Sequence, residues 1–278
     1  MALVPQMFLN SVVAIGQPIA GSDPQWMATG FLYGHLTDSS VDPHLYQVYL
    51  VTNSHVASPP RPLVVRFNPV GNGPAQILEV SHVDDDNKID LWTFHPDIDI
   101  DVAVIPVNMG VLAQSGLRHN FFEGDNHVLR VSELQSSGVS PGDGIFLLGF
   151  PGSTGVGVRS DVTVRGGCIA RLEDIYNGLS KTFLIDSNNF PGNSGGPVIT
   201  KIEVTTLTGT PNVMKSNLIG VVASYVPYQD VAVSAQTGRP RIIFEENTGL
   251  AHVYPVDVIQ ETVEINIRDV VSKFEDNS

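Results

Sequence analysis

Twelve short apolar runs, each about as long as a β-strand, restrict the fold of this chain more than any other feature. Glycine- and proline-rich stretches separate the runs, as expected of strands joined by turns. They fall into two groups of six: residues 9–15, 27–36, 46–52, 63–67, 91–94 and 102–107, then residues 145–150, 161–170, 182–185, 197–200, 218–226 and 250–254. Two groups of six strands match two packed six-stranded antiparallel β-barrels, because closing a sheet into a barrel removes its exposed edges.

The remaining segments complete an all-β interpretation. Residues 112–140 lack strand character and predict a connector between the barrels. Pro255 suits the first position of a helix, and apolar residues recur at helical spacing after it. We therefore predict a single unit over residues 1–278, with an N-terminal barrel at 8–111, the connector at 112–140, a C-terminal barrel at 141–254 and a short terminal helix with its tail at 255–272.

The charge and hydropathy of the chain exclude several classes of function. The formal net charge is −14, which argues against nucleic acid or an anionic membrane as a partner, since both require basic patches. No apolar stretch approaches the ~18 residues that cross a bilayer. The first residues, MALVPQMFLN, lack the basic start of a signal peptide. We therefore expect a cytoplasmic protein.

Two features that suggest a metal or redox role are better explained structurally. The acidic run at residues 84–88 lacks the glycine and terminal glutamate of an EF-hand, so it is interpreted as a solvated loop. Cys168 is the only cysteine, which excludes a disulfide within the chain and suits a reducing compartment. We expect Cys168 to be a buried structural thiol. No metal and no cofactor are predicted.

Ser194 lies in the most informative segment, PGNSGGP at residues 191–197. Glycines on both sides of a serine allow a tight turn with backbone N–H groups close to a substrate carbonyl. A serine hydroxyl becomes a useful nucleophile only beside a general base and with donors for the oxyanion. This segment therefore predicts a hydrolase.

A histidine and an aspartate complete a candidate catalytic set. His55 follows the predicted strand at residues 46–52 in a turn of small residues. Asp101 is the last of three alternating acids and directly precedes an apolar run, where a carboxylate could orient an imidazole. Asp99 is the main alternative to Asp101, and Asp97 is of the same kind. The order His, Asp, Ser is one of three known for the same triad geometry.

These motifs resemble the trypsin-like (chymotrypsin-fold) serine peptidases, especially the disulfide-free branch of HtrA-type enzymes. The resemblance rests on VTNSHV around His55, DVAVIPV from Asp101 and PGNSGGPV around Ser194. Weaker matches are the predicted pocket strand at residues 218–224 and the final strand and helix start around residues 247–256. The few residues after the terminal helix are too short for the PDZ domain that many HtrA-type enzymes carry, so none is expected.

The resemblance implies a role for each of these residues. Ser194 would attack the scissile carbonyl, His55 would act as general base and then general acid, and Asp101 would orient the imidazole. The N–H groups of Gly192 and Ser194 would form the oxyanion hole. The partner would be a protein or peptide substrate. Asn193 stands where secreted relatives usually have an aspartate that pairs with a new N-terminus, so control by a regulatory partner or by homo-oligomerisation is expected instead.

The resemblance also places three residues in the primary specificity pocket. Asn188 would lie at its floor, and Ala223 and Tyr225 would line its walls. A neutral floor gives no support for a preference for arginine or lysine. A small or medium uncharged side chain is therefore the predicted preference.

Two alternative functions stay open at this point. The fold could serve as a latent or catalytically silent module that binds a partner, although all three triad candidates are present. The segment GNSGG also matches the G-x-S-x-G elbow of another hydrolase fold, in which the serine sits between a strand and a helix. That fold would require a histidine after the serine, and His252 is the one available.

Overall fold

The computed structural model describes residues 3–58, 60–83, 90–203 and 212–275. They form two β units and a C-terminal helix. Strands of the first unit are β1 (Val12–Ile19), β2 (Ser22–Asp38), β3 (Leu45–Thr52), β4 (Leu63–Phe67), β5 (Gln76–Val80), β6 (Thr93–Phe94), β7 (Ala103–Pro106) and β8 (Phe122–Glu123). Strands of the second are β9 (Gly144–Gly149), β10 (Thr163–Arg171), β11 (Phe183–Asp186), β12 (Pro197–Thr200), β13 (Leu218–Val233) and β14 (Pro240–Pro255).

The helices are short except for the last. They are α1 (Gln6–Asn10), α2 (Ser54–Ala57), α3 (Met109–Gln114), α4 (Val131–Ser136), α5 (Glu173–Tyr176) and α6 (Val256–Glu275), with one 3-10 turn at Pro151–Ser153. Helix α6 begins directly after β14 and contacts β6, β7 and β13. It therefore joins the second unit to the first, and its presence confirms the predicted C-terminal helix.

The second unit is a closed barrel of six strands, as predicted. Its strands follow the order β9, β10, β11, β14, β13, β12, and β12 returns to pair with β9. Every recorded pair in the barrel is antiparallel. Within the closed part of the barrel each strand has a neighbour on both sides, and the loops that connect the strands are available to form a site.

The first unit is a single sheet of eight strands rather than the six expected. The order is β5, β4, β1, β2, β3, β7, β6, and β8 pairs with β2 in parallel. The two additional strands are β5 and β8. They escaped the sequence analysis because β5 is only partly buried and β8 has two residues, so neither forms an apolar run of strand length.

Two strands of the second barrel are much longer than predicted. Expected limits were residues 218–226 and 250–254, whereas β13 and β14 have 16 residues each. Their outer parts pair from Pro227 with Asn247 to Val233 with Pro240 and lie exposed to solvent. Strand pairing continues there without a core beneath it, so the hydrophobic pattern that identifies strands is lost.

Three apolar clusters hold the molecule together. One lies within the first sheet and one within the second barrel. The third joins the two units and includes Phe31 and Tyr33 from β2 with Leu148 and Val221 from the barrel. Because this third cluster is buried, the loops at the junction of the two units are held in a fixed relationship.

Some local predictions need correction. The segment predicted as the first strand begins in helix α1, since Pro5 and the following residues start a helical turn. Cys168 is a free thiol, as expected, but it is only partly buried in β10. The acidic run at residues 84–88 lies outside the described residues.

Candidate active site

His55 and Asp101, two of the candidate site residues, contact each other directly. The distance from His55 Nδ1 to Asp101 Oδ2 is 2.6 Å, and the backbone N–H of His55 donates to Asp101 Oδ1 at 2.8 Å. Both carboxylate oxygens are therefore occupied by one residue, which fixes the imidazole relative to the acid. The His55 side chain is 53% exposed and that of Asp101 is 29% exposed. When Nδ1 of an imidazole contacts a carboxylate, Nε2 is available to exchange a proton with a substrate or a nucleophile.

The local sequence explains the position of His55. Strand β3 ends at Thr52, and Asn53 adopts extended dihedrals before the single turn of α2. The side-chain amide of Asn53 donates to the backbone oxygen of Asp101 at 2.8 Å. Asn53 is fully buried, so it connects the turn of the histidine to the segment of the acid within the protein interior. Asn53 lies within the VTNSHV motif, but no local pattern indicates this contact, because Asp101 is 48 residues away in the chain.

The Ser194 turn packs against Thr52 at the end of β3, the strand that leads to His55, and no hydrogen bond joins Ser194 to His55 among the described residues. The N–H of Thr29 donates to the carbonyl of Ser194 at 2.9 Å, and the hydroxyl of Thr29 donates to the carbonyl of Gly192 at 2.6 Å. Gly195 has φ +80°, and a Cβ there would lie 2.3 Å from Thr52 Oγ1. Residues of the first unit thus directly support the serine turn. One of them, Thr52, lies three residues before His55 in the chain. Nothing in the sequence indicated that Thr29 contributes to this support.

Gly192 has a backbone conformation that favours glycine. Its φ is +101°, and a Cβ would lie 2.4 Å from the carbonyl oxygen of Phe150. Among the described residues, neither the N–H of Gly192 nor that of Ser194 donates a hydrogen bond, whereas the neighbouring N–H of Asn193 donates to Phe190. Two unengaged N–H groups flanking one turn can bind a developing negative charge on a substrate oxygen.

The two alternative acids, Asp97 and Asp99, contact a residue of the second barrel instead of His55. The Lys181 ammonium lies 2.6 Å from Asp97 Oδ2 and 3.2 Å from Asp99 Oδ2. The hydrogen bond from Lys181 lowers the pKa of Asp97, and the bond to Asp97 raises the pKa of Lys181. These contacts favour Asp101 as the partner of the histidine. Lys181 was not recognised in the sequence, because the pair is separated by 84 residues.

Tyr254 provides a second link between the acid segment and the barrel. Its hydroxyl donates to the backbone oxygen of Asp99 at 2.6 Å, and its side chain is largely buried. Burial raises the pKa of the Tyr254 phenol, so the hydroxyl keeps its proton and acts as a donor. The segment that carries Asp101 is therefore held by both units.

The three predicted pocket residues lie on neighbouring parts of the second barrel. Asn188 follows β11, is exposed, and its side-chain oxygen lies 3.4 Å from the Cβ position of Gly249 in β14. Ala223 is buried in β13. The Tyr225 hydroxyl donates to Glu245 on β14, and this bond raises the pKa of Tyr225. Their role in specificity remains a prediction.

Asn193 is buried, with 1% exposure, and no hydrogen-bond partner is recorded for its side-chain amide among the described residues. Its side-chain oxygen lies 2.8 Å from the Cβ position of Gly149. The side chain therefore points into the protein interior, away from solvent. The side-chain amide of Asn193 is uncharged, so it cannot form an ion pair with a terminal ammonium group.

The structure does not fit the alternative elbow fold. After Ser194 the chain makes a turn and enters strand β12, whereas an elbow would lead into a helix. His252 lies in β14, where its Nδ1 is 3.0 Å from the hydroxyl of Thr182. His252 is therefore engaged elsewhere, while His55 carries the contact to the acid.

Neither a metal site nor a membrane span is found in the parts of the chain that the structure describes. No group of three or more histidine, cysteine, aspartate or glutamate residues is arranged to hold a metal ion. No described helix is both long and apolar enough to cross a bilayer.

Comparison with protein-family models identifies a family that covers the candidate site. The family model described as the trypsin-like peptidase domain matches residues 28–203, more than half of the chain. The matched range includes His55, Asp101 and Ser194. A search of curated proteins found no match.

Proposed function

The chain belongs to the trypsin-like peptidase domain family, and on this premise we propose that it is a serine endopeptidase with the triad Ser194, His55 and Asp101. The contact of 2.6 Å between His55 Nδ1 and Asp101 Oδ2 carries the proposal. It orients the imidazole, and among the described residues the turn that carries Ser194 leaves the N–H groups of Gly192 and Ser194 without a hydrogen-bond acceptor. A latent partner-binding module would not require this arrangement.

The proposed reaction has two chemical steps. Ser194 Oγ attacks the carbonyl carbon of the scissile bond, and its proton passes to Nε2 of His55. The oxyanion accepts hydrogen bonds from Gly192 and Ser194, each worth about 3 kcal/mol in the transition state. The C–N bond then breaks, and His55 returns the proton to the leaving amine. Water hydrolyses the acyl-enzyme by the same proton transfers, and Ser194 is restored.

Asp101 serves the reaction without accepting a proton. Its carboxylate holds the Nδ1 proton of His55 and stabilises the imidazolium formed in each step. General acid–base catalysis by such an imidazole contributes about 10²–10⁴-fold. The second carboxylate oxygen accepts the backbone N–H of His55 at 2.8 Å, so the acid keeps the ring in place when its charge changes.

For specificity and control, the proposal extends to the class of substrate, the residues of the pocket and the kind of control. The substrate is a protein or peptide, with Asn188, Ala223 and Tyr225 around an uncharged side chain at the cleavage site. The disulfide-free sequence supports the HtrA-type branch. Because Asn193 cannot form an ion pair with a new N-terminus, control through a partner or through oligomer formation is favoured.

A fluorophosphonate probe tests the proposal, because it reacts with an activated serine and needs little substrate recognition. We expect labelling of the wild-type protein, none of Ser194→Ala and full labelling of the matched control Ser132→Ala, whose serine is exposed on α4. Labelling that survives Ser194→Ala would show that another serine is the nucleophile. No labelling of the wild-type protein would favour the latent binding module.

A further inference from the structure

Two peptide groups of the serine turn, defined as residues 191–196, are held by backbone hydrogen bonds. The N–H of Gly152 donates to the carbonyl of Pro191 at 2.8 Å, and the N–H of Gly196 donates to the carbonyl of Asn193 at 2.8 Å. In a trans peptide group the C=O and N–H bonds point in opposite directions. The N–H that shares a peptide group with each of these carbonyls therefore points away from the contact. These two N–H groups are the proposed oxyanion donors.

The peptide group between these two is held by a side chain. The Thr29 hydroxyl, from strand β2, donates to the carbonyl of Gly192 at 2.6 Å. Gly192 has φ +101°, and glycine changes its backbone conformation at a lower cost than other residues do. Because this peptide group links the two donors, its orientation sets the angle between them. The Thr29 hydroxyl therefore restrains a glycine that could otherwise rotate.

The surroundings of Thr29 suit a positioning role. Thr29 is fully buried, so water cannot replace a hydrogen bond that its hydroxyl loses. The hydroxyl oxygen also accepts the N–H of Phe150 at 3.1 Å. A Cβ on Gly149 would lie 2.9 Å from this oxygen, which leaves little room for the hydroxyl to move. Thr29 can therefore hold the serine turn in one arrangement.

We propose that Thr29 is a positioning residue for the peptidase reaction, because its hydroxyl holds the Gly192 carbonyl and so directs the N–H groups of Gly192 and Ser194 toward the substrate oxygen. The inference rests on the proposed peptidase function and adds a residue of the first unit to it. Thr29 is buried, so it acts only through the serine turn. Hydrogen bonds to the oxyanion strengthen as charge develops in the transition state. Loss of the Thr29 hydroxyl should therefore lower kcat more than it raises KM.

Thr29→Val tests the proposal, because valine has the shape of threonine without the hydroxyl. We expect kcat to fall about 10²-fold, the cost of misplacing groups of an active site by about 1 Å. KM should change less than about threefold, since the lost contacts act mainly in the transition state. Both constants are measured on a fluorogenic peptide found by library screening, and urea denaturation verifies that the variant is folded.

Thr200→Val is the matched control. Thr200 is also buried, and its hydroxyl donates to the carbonyl of Lys215 at 3.1 Å and accepts the N–H of Asn217 at 2.9 Å. The substitution thus removes one donated and one accepted hydrogen bond, as Thr29→Val does, without touching the serine turn. Thr200→Val should leave kcat unchanged. An equal fall of kcat in both variants would overturn the positioning role.

A second pair of variants tests rescue by a hydroxyl. Thr29→Ser keeps the hydroxyl and should have a kcat close to that of the wild-type protein. Thr29→Cys has nearly the shape of the serine variant, but a thiol is a weaker donor. Its kcat should be about tenfold lower than that of Thr29→Ser, as expected for the loss of one hydrogen bond. This pair decides the question even if Thr29→Val does not fold, and equal kcat in the two variants would contradict the role of the hydroxyl.

An NMR measurement separates this inference from the peptidase proposal. The backbone amide signals of Gly192 and Ser194 are assigned in isotope-labelled protein and compared between the wild type and the two valine variants. We expect these signals to shift or broaden in Thr29→Val and to stay in place in Thr200→Val. That result supports control of the turn by Thr29 even if the wild-type protein cleaves nothing, which would overturn the peptidase proposal alone. Unchanged signals in Thr29→Val would overturn the positioning role even if the wild-type protein is an active peptidase.

Discussion

The Lys181 ammonium of the second barrel lies 2.6 Å from the Asp97 carboxylate in the acid segment of the first unit. Asp101, four residues further along, holds the imidazole of His55. The segment between them is therefore fixed at one end by the barrel and at the other by the histidine. This arrangement separates the functions of three similar acids, because Asp97 and Asp99 bind Lys181 and Asp101 binds His55.

Asparagine substitutions should distinguish these acids kinetically. Asp101→Asn should lower kcat about 10³–10⁴-fold, since an amide no longer favours the tautomer that leaves Nε2 as a base. Asp99→Asn is the matched control and should lower kcat less than threefold, because its carboxylate contacts Lys181 at an exposed position. Rates on a peptide substrate measure both. A larger effect at Asp99 would assign the catalytic acid to that residue.

The two links between the barrel and the acid segment should differ in strength. Tyr254→Phe removes a largely buried hydroxyl that donates to the Asp99 carbonyl and should lower the free energy of unfolding by about 1 kcal/mol. Lys181→Met removes exposed ion pairs and should have a smaller effect that disappears at high salt. Urea denaturation at low and at 1 M salt compares them. A larger, salt-independent effect of Lys181→Met would contradict this order.

Gly195 should tolerate no side chain. Its φ of +80° is strained for any other residue, and a Cβ would lie 2.3 Å from Thr29 O and Thr52 Oγ1. Gly195→Ala should therefore lower the free energy of unfolding by about 3 kcal/mol, from strain and overpacking together. Gly178→Ala is the matched control, since its φ is +65° and nothing lies near the added methyl group. Its expected cost is about 1 kcal/mol. Equal losses would mean that the serine turn moves to accept the methyl group.

His252 should make stability depend on pH. Burial, aided by the charge of Arg171, lowers the pKa of the folded His252 ring. The unfolded chain, with a histidine pKa of about 6.5, binds the proton more readily. The contribution of neutral His252 to the free energy of unfolding is therefore complete above the pKa that the ring has in the unfolded chain. It is lost as the pH falls from that value to the lower pKa of the ring in the folded protein.

The matching variant is His252→Gln, which keeps a polar partner for Thr182. Its free energy of unfolding should decrease less between pH 7.5 and pH 5 than that of the wild-type protein. Urea denaturation at the two pH values measures the difference. The same decrease in both proteins would assign the pH dependence to other groups.

Much of the barrel architecture could be predicted from the sequence, because buried strands carry a local signal. The limits of β4 and β12 agree with the predicted runs, and both strands are mainly buried. The outer parts of β13 and β14 could not be predicted, since both their faces contact solvent and their apolar residues form no regular alternation. The short parallel pairing of β8 also has no local signal, because the contact with β2 depends on residues far apart in the chain.

The sequence by itself determined the residue types of the candidate site and their order, because a reactive serine, its base and its oxyanion turn each need a particular local motif. It left three acids as candidates for one position. Only the tertiary structure brought Asp101 to His55, Lys181 to Asp97 and Asp99, and the serine turn to Thr29. These contacts join two separately formed β units, so they depend on packing between distant segments, which no local pattern encodes.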